Sequence, residues 1–161
     1  MTDVIGLRRR KSMMRRIAAV AMALAALVTT GAAQAADHEV KMLNKGAKGA
    51  MVFEPDFIQA AVGDTVTFLP TDKSHDAESV KGMAPEGTEP FKGKISEKVT
   101  VPITAEGVYG VKCTPHYGMG MVALIVAGNP VNLDAAKTVK HPGKAKKAFE
   151  ALLTQATAGA Q

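Results

Sequence analysis

The sequence predicts a mainly β protein, an antiparallel sandwich or barrel followed by two helices and preceded by a removable leader. Three observations carry this. Apolar and polar residues alternate in several short runs between residues 38 and 127. Turn-forming stretches separate those runs. After Gly128-Asn129-Pro130 the apolar period changes from two to that of a helix.

The leader comes first. Arg8, Arg9, Arg10, Lys11, Arg15 and Arg16 precede an apolar run from Ile17 to about Val28, and Ala33-Gln34-Ala35 supplies a small-x-small cleavage site. Basic, apolar and small-residue zones in that order are a secretory signal. The apolar run is short of the roughly 20 residues that span a membrane. Cleavage after Ala35 is expected, leaving residues 36–161 as a single domain, with the sandwich over 36–128 and the helical tail over 129–161. A retained N-terminal anchor is the competing reading.

The strands follow. Val40 and Met42 alternate with polar neighbours, as do Val66 and Phe68, and Val99, Val101 and Ile103. Such alternation marks strands with one buried face. Gly63-Asp64, Pro85-Glu86-Gly87 and Glu106-Gly107 are turn chemistry. Met121–Ala127 is apolar throughout and partly β-branched, which predicts a central strand.

In the tail, Asn132 is placed to cap a short helix reaching about Val139. Pro142 sits where a second helix can start. Phe149, Leu152, Leu153 and Ala156 keep the i, i+3, i+4, i+7 rule, so an amphipathic helix is predicted over 143–157, packed on the sandwich.

Charge argues against a nucleic-acid partner. The whole chain carries a formal +5. All five arginines, with Lys11 and Asp3, lie in the leader; removing them leaves 14 lysines and 14 acids, a neutral domain. A basic chain whose excess is in a discarded segment has no phosphate-binding surface to explain.

The chemistry concentrates around one cysteine. Cys113 has no partner in the chain for a disulfide, so in an oxidising compartment it is inert, paired between chains, reactive or metal-bound. Its surroundings favour metal. Val111-Lys112-Cys113-Thr114-Pro115-His116-Tyr117-Gly118-Met119-Gly120-Met121 offers a thiolate, an imidazole and a thioether as Cys-x2-His-x4-Met, and Ser74-His75-Asp76 offers a distant second imidazole. Two His, one Cys and a weak Met is the donor set of a type 1 copper site. The soft thiolate favours Cu(I), imidazole suits both oxidation states, and a rigid scaffold keeps the change between them small. His38 and His141 are read as solvated residues without a ligand role.

The segments Met42-Leu43-Asn44-Lys45-Gly46, Gly49-Ala50-Met51-Val52-Phe53-Glu54-Pro55, Gly63-Asp64-Thr65-Val66-Thr67-Phe68 and Val111–Tyr117 resemble those of the small blue copper proteins, the cupredoxins, and among them the pseudoazurin subfamily. Plastocyanins are similar in using Cys-x2-His-x4-Met; the helical tail and the lysine pattern set this chain apart from them. The resemblance implies a Greek-key sandwich and one copper ion per chain, cycling between Cu(II) and Cu(I). It implies His75, Cys113, His116 and Met121 as ligands. It implies a one-electron carrier, not an enzyme, working in the periplasm with c-type cytochromes, copper nitrite reductase or a similar reductase. No nucleic acid, no membrane after cleavage, and a monomer are expected.

Around the ligands, Pro115 lacks an N–H, which removes one possible hydrogen bond to the Cys113 sulfur. The resemblance implies the backbone N–H of residue 76 as the remaining donor, and Asn44 as the tie between the His75 loop and its neighbouring strand. Where relatives commonly have Asn after the first ligand His, this chain has Asp76, whose negative charge is expected to favour Cu(II). Met51, Pro115, Gly118 and Met119 are expected to form an apolar docking patch around His116. Lys45, Lys73, Lys92 and Lys112, with Lys81 and Lys94 as further candidates, are expected to frame it and steer an acidic partner.

Two other functions compete. A copper store or chaperone would use clustered, exchangeable Met or His sites, and Met42, Met51, Met83, Met119 and Met121 form no repeated motif. A Cys–His thiol hydrolase needs an activated thiolate and an orienting partner for the histidine, and none stands out.

Overall fold

The computed structural model describes residues 34–159. The leader expectation falls mostly on residues 1–33, outside the described residues. The strands are β1 (Asp37–Gly46), β2 (Gly49–Glu54), β3 (Phe57–Ala60), β4 (Thr65–Leu69), β5 (Glu78–Ser79), β6 (Val99–Pro102), β7 (Gly107–Lys112) and β8 (Val122–Ala127). Two helices, α1 (Leu133–Lys137) and α2 (Gly143–Ala158), close the chain. No helix among the described residues is long and apolar enough to cross a membrane.

The strands form two four-stranded sheets, in the orders β2-β1-β4-β6 and β3-β8-β7-β5. The expected antiparallel sandwich is corrected at two pairs: β1 pairs with β4, and β3 with β8, in parallel. Alternation fixes which face of a strand is buried, and says nothing about the direction of its neighbour.

The alternating residues meet between the sheets. Val40 and Met42 of β1, Val66 and Phe68 of β4, and Val101 with Ile103 face Tyr109, Val111, Ala123 and Ile125. Phe53 meets Phe68 edge-on at 5.3 Å between ring centroids. A second core lies on the other side of the β8 sheet, where Val108, Val122, Leu124 and Val126 pack against Leu133, Phe149, Leu152, Leu153 and Ala156. Strand β8 is therefore covered on both faces, which is why it is apolar at every position.

Helix α2 follows its predicted pattern, with Ala145 added to the buried stripe. Asn132 stands at the start of α1 but does not cap it. Its side chain reaches back to β7, where Oδ1 accepts from Val108 N at 2.7 Å and Nδ2 donates to Val108 O at 2.9 Å. The residue that reads as a local cap is a tertiary tie. At the other helix, Gly143 has φ +51, and a Cβ there would strike the backbone of Gly118. Helix α2 thus begins in contact with the loop that carries His116.

Candidate metal centre

Cys113 immediately follows β7, and Met121 immediately precedes β8. The loop between them is clamped by its own backbone. Cys113 N donates to Met121 O at 3.0 Å, His116 N to Cys113 O at 3.2 Å, and Met121 N to His116 O at 3.3 Å. Gly120, at φ 96, ends the 3₁₀ turn Tyr117–Met119 and lets the chain return to the sheet. Cys113 and Met121 are both fully buried in the core between the sheets.

The second imidazole arrives from the other sheet. His75 lies beyond β4, after Ser74 at φ 72, a left-handed conformation that turns the chain inward. Ser96 fastens this turn: Ser74 N donates to its Oγ at 2.9 Å, and Ser96 N donates to His75 O at 2.7 Å. His75 is completely buried.

His75, Cys113 and His116 come together, each offering one donor atom, all within 4.8 Å of one another. The two Nδ1 atoms are 3.1 Å apart, and Cys113 Sγ lies 3.7 Å from His75 Nδ1 and 3.4 Å from His116 Nδ1. His75 Nε2 donates to Asn44 Oδ1 at 2.9 Å, so its Nδ1 is the bare nitrogen and faces the other two donors. Burial, with the nearby His116, holds the His75 pKa below its usual value, which keeps the imidazole neutral.

Burial pushes the Cys113 thiol up to about 11. Hydrogen bonding from the backbone N–H groups of Asp76 and His116 pulls the other way, while the Asp76 carboxylate adds to the rise. Without a cation this thiol is protonated at neutral pH and is a poor nucleophile. A soft cation reverses that by stabilising the thiolate directly. Two imidazole nitrogens and a thiol sulfur turned toward one another in so small a space form a mixed nitrogen and sulfur donor set, so the residues fit copper.

The nearby residues fall as follows. Asp76 is buried, and its Oδ1 accepts from Thr114 N at 2.5 Å. Pro115, Gly118 and Met119 are exposed beside half-buried His116, and Met51 is half-buried. A cleft of about 760 Å³ lined by Met51, Phe53, Met119, Lys144 and Lys147 continues from this apolar end between β2 and α2. Lys45 and Lys73 are exposed. Lys92 and Lys112 both bridge Glu78, at 3.3 and 3.4 Å. Glu78, which also accepts from Thr114 Oγ1 at 2.9 Å, is a site residue that sequence reasoning missed. Two further histidines are not free in solvent. His38 Nε2 contacts Asp64 Oδ2 at 2.8 Å, and His141 Nδ1 contacts the Tyr117 hydroxyl at 2.6 Å. Both partners are more than 20 residues away in sequence, so no local signal marks them.

Known proteins are similar to this chain in sequence and in fold. Residues 40–128 match the family of copper binding proteins described as plastocyanin/azurin. The chain is 57% identical over 140 residues to the pseudoazurin of Paracoccus pantotrophus, covering 86% of this chain and 95% of that one. It is similar in structure to native pseudoazurin from Hyphomicrobium denitrificans, with TM-score 0.71, 50% identity, and 74% and 97% of the two chains covered. Against the refined pseudoazurin of Methylobacterium extorquens AM1 the TM-score is 0.72 at 48% identity, covering 74% of this chain and 98% of that one.

Proposed function

The chain belongs to the plastocyanin/azurin family of copper-binding proteins, in its pseudoazurin branch, and from that premise we propose that it is a periplasmic one-electron carrier whose copper is held by His75, Cys113, His116 and Met121. Membership makes it an electron carrier with one copper, and not an enzyme. When bound, copper supplies the one-electron couple between Cu(II) and Cu(I).

The observation that carries the ligand assignment is the convergence of His75, Cys113 and His116 within 4.8 Å in a buried site. The chain's own residues do the rest. Asn44 fixes the His75 tautomer, and the N–H groups of Asp76 and His116 hold density on the Cys113 sulfur. The loop clamp keeps His116 and Met121 in place whether or not charge changes beside them, which lowers the reorganisation that electron transfer requires.

Export and location rest on the leader: residues 1–35 are removed, and residues 36–161 act in the periplasm. Docking proceeds over His116, through the exposed apolar group Met119, Pro115 and Gly118 with Met51 behind it. Lys45 and Lys73 are free to meet acidic groups, while Lys92 and Lys112 approach with Glu78 already between them. The partners are redox proteins such as c-type cytochromes or copper nitrite reductase, met briefly by a monomer. A thiol hydrolase is disfavoured by the raised Cys113 pKa, and an exchangeable store by the burial of His75, Cys113 and Met121.

The test is optical. The exported protein with one equivalent of Cu(II) should show an intense blue band that bleaches with ascorbate and returns on reoxidation. It should then exchange electrons with a c-type cytochrome, more slowly as salt is raised. Absence of the band at one copper per chain would overturn the ligand assignment.

A further inference from the structure

Cleavage after Ala35 would do more than free the domain. It would make Ala36-Asp37-His38 the first three residues, with a terminal amine, two backbone amides and an imidazole in the third position. Those four nitrogens close three fused chelate rings around one ion, a square-planar set that suits Cu(II) and Ni(II).

The fold gathers the two ends of that set on one carboxylate. Asp64 Oδ1 accepts from Ala36 N at 2.8 Å, and Asp64 Oδ2 contacts His38 Nε2 at 2.8 Å. Ala61 N also donates to Oδ2 at 2.8 Å, which fixes the carboxylate itself. These contacts hold the Asp64 pKa down to about 2, so the carboxylate is charged at neutral pH. With His38 Nε2 donating to Asp64, Nδ1 is the bare ring nitrogen, the one that a chelate through the His38 amide requires. A histidine ligand whose other nitrogen donates to a carboxylate is the usual outer support of a metal site.

The terminus is also accessible. Ala36 and Asp37 are exposed and His38 half-buried. Strand β1 pairs with β4 from Asp37 but with β2 only from Lys41, so residues 37–40 have a strand on one side alone. Coordination detaches the first pairs of the β1–β4 ladder, at an end where fraying is cheap.

We propose that the processed N-terminus is a second metal site, in which the Ala36 amine, the Asp37 and His38 amide nitrogens and His38 Nδ1 bind Cu(II) or Ni(II), with Asp64 as the carboxylate that positions the two end donors. On binding, one proton leaves the terminal ammonium and one leaves each amide, and no electron moves. The site is separate from Cys113 and holds no sulfur. It rests on the cleavage reading, not on the blue-site ligands.

The experiment uses the exported Cys113→Ser protein, with Ni(II) as the probe. Intact mass tests the cleavage by itself: a first residue other than Ala36 overturns the site for the exported protein. Three variants then test the chelate. A Gly inserted between Ala35 and Ala36 leaves every contact of Asp64 to the fold in place but moves His38 to the fourth position. Expected is one square-planar, yellow Ni(II) per chain in the parent, lost in the Gly insertion and in His38→Ala. Asp64→Asn should weaken it by about 10- to 100-fold. Equal binding by parent and Gly insertion would overturn the chelate, and an unchanged affinity in Asp64→Asn would overturn the part given to the carboxylate.

Discussion

His75 Nε2 donates to Asn44 Oδ1 at 2.9 Å, and this one bond decides which face of the imidazole meets Cys113. Asn44 lies in β1, on the sheet opposite the Cys113 loop. Replacing it by Ala frees the ring to rotate and leaves a buried N–H without a partner. Asn44→Ala should weaken copper binding by about 10- to 100-fold and destabilise the apoprotein by roughly 1–3 kcal/mol. Chelator competition and urea unfolding measure the two effects.

The Asp76 charge is the second test. Its Oδ1 accepts from Thr114 N, a bond that an asparagine oxygen can replace, so Asp76→Asn changes charge with little change of shape. Removing a negative charge beside the site favours the reduced state. An interaction on the order of 1 kcal/mol corresponds to about 40 mV for one electron, so the potential should rise by tens of millivolts. An unchanged potential in voltammetry would remove Asp76 from the tuning of the site.

For docking, Lys45 and Lys73 are exposed while Lys92 and Lys112 share Glu78. Lys45→Glu with Lys73→Glu should slow electron exchange with an acidic partner by at least about tenfold at low ionic strength, and little at high salt. Stopped-flow rates across a salt series check this. Equal slopes for variant and parent would contradict electrostatic steering.

At the start of α2, Gly143→Ala must place a side chain at φ +51 and against the Gly118 backbone. The expected loss is roughly 1–3 kcal/mol, read by urea unfolding. Because Gly118 belongs to the His116 loop, the visible spectrum of the copper form should shift as well. Gly143→Ala with parent-like stability and spectrum would show that the contact yields freely.

Acid should act through Asp64. Its folded pKa is depressed, first by the N–H of Ala36 and then by that of Ala61, to about 2. A depressed carboxylate stabilises the fold above its unfolded pKa, ~3.9, and loses that contribution as pH falls toward the folded value. Asp64→Asn should therefore lower stability at pH 7 and flatten the acid loss between about pH 4 and pH 2. Thermal unfolding across pH measures both.

The sequence carried the outline of the fold where alternation is long and clean, as at Val40 and Met42, at Val66 and Phe68, and along α2. It was silent on short or irregular strands: β5 has two residues, β3 four, and β2 (Gly-Ala-Met-Val-Phe-Glu) lacks a period of two. Strand direction was not legible, because alternation records burial and not partnership. At the site, the Cys113, His116 and Met121 group was visible because one loop holds it. Pairings such as Glu78 with Lys112, His141 with Tyr117 and Asn132 with Val108 were not, because each joins segments that only the finished fold brings together.

Strand β8 shares its two faces between two cores, and this makes the last thirty-odd residues indispensable. Cut after Gly128, the chain would present Val108, Val122, Leu124 and Val126 as a bare apolar wall. Such a fragment would seek cover from other molecules. Methods that trim helical tails to reach a minimal electron carrier would produce from this sequence a sticky, self-associating one.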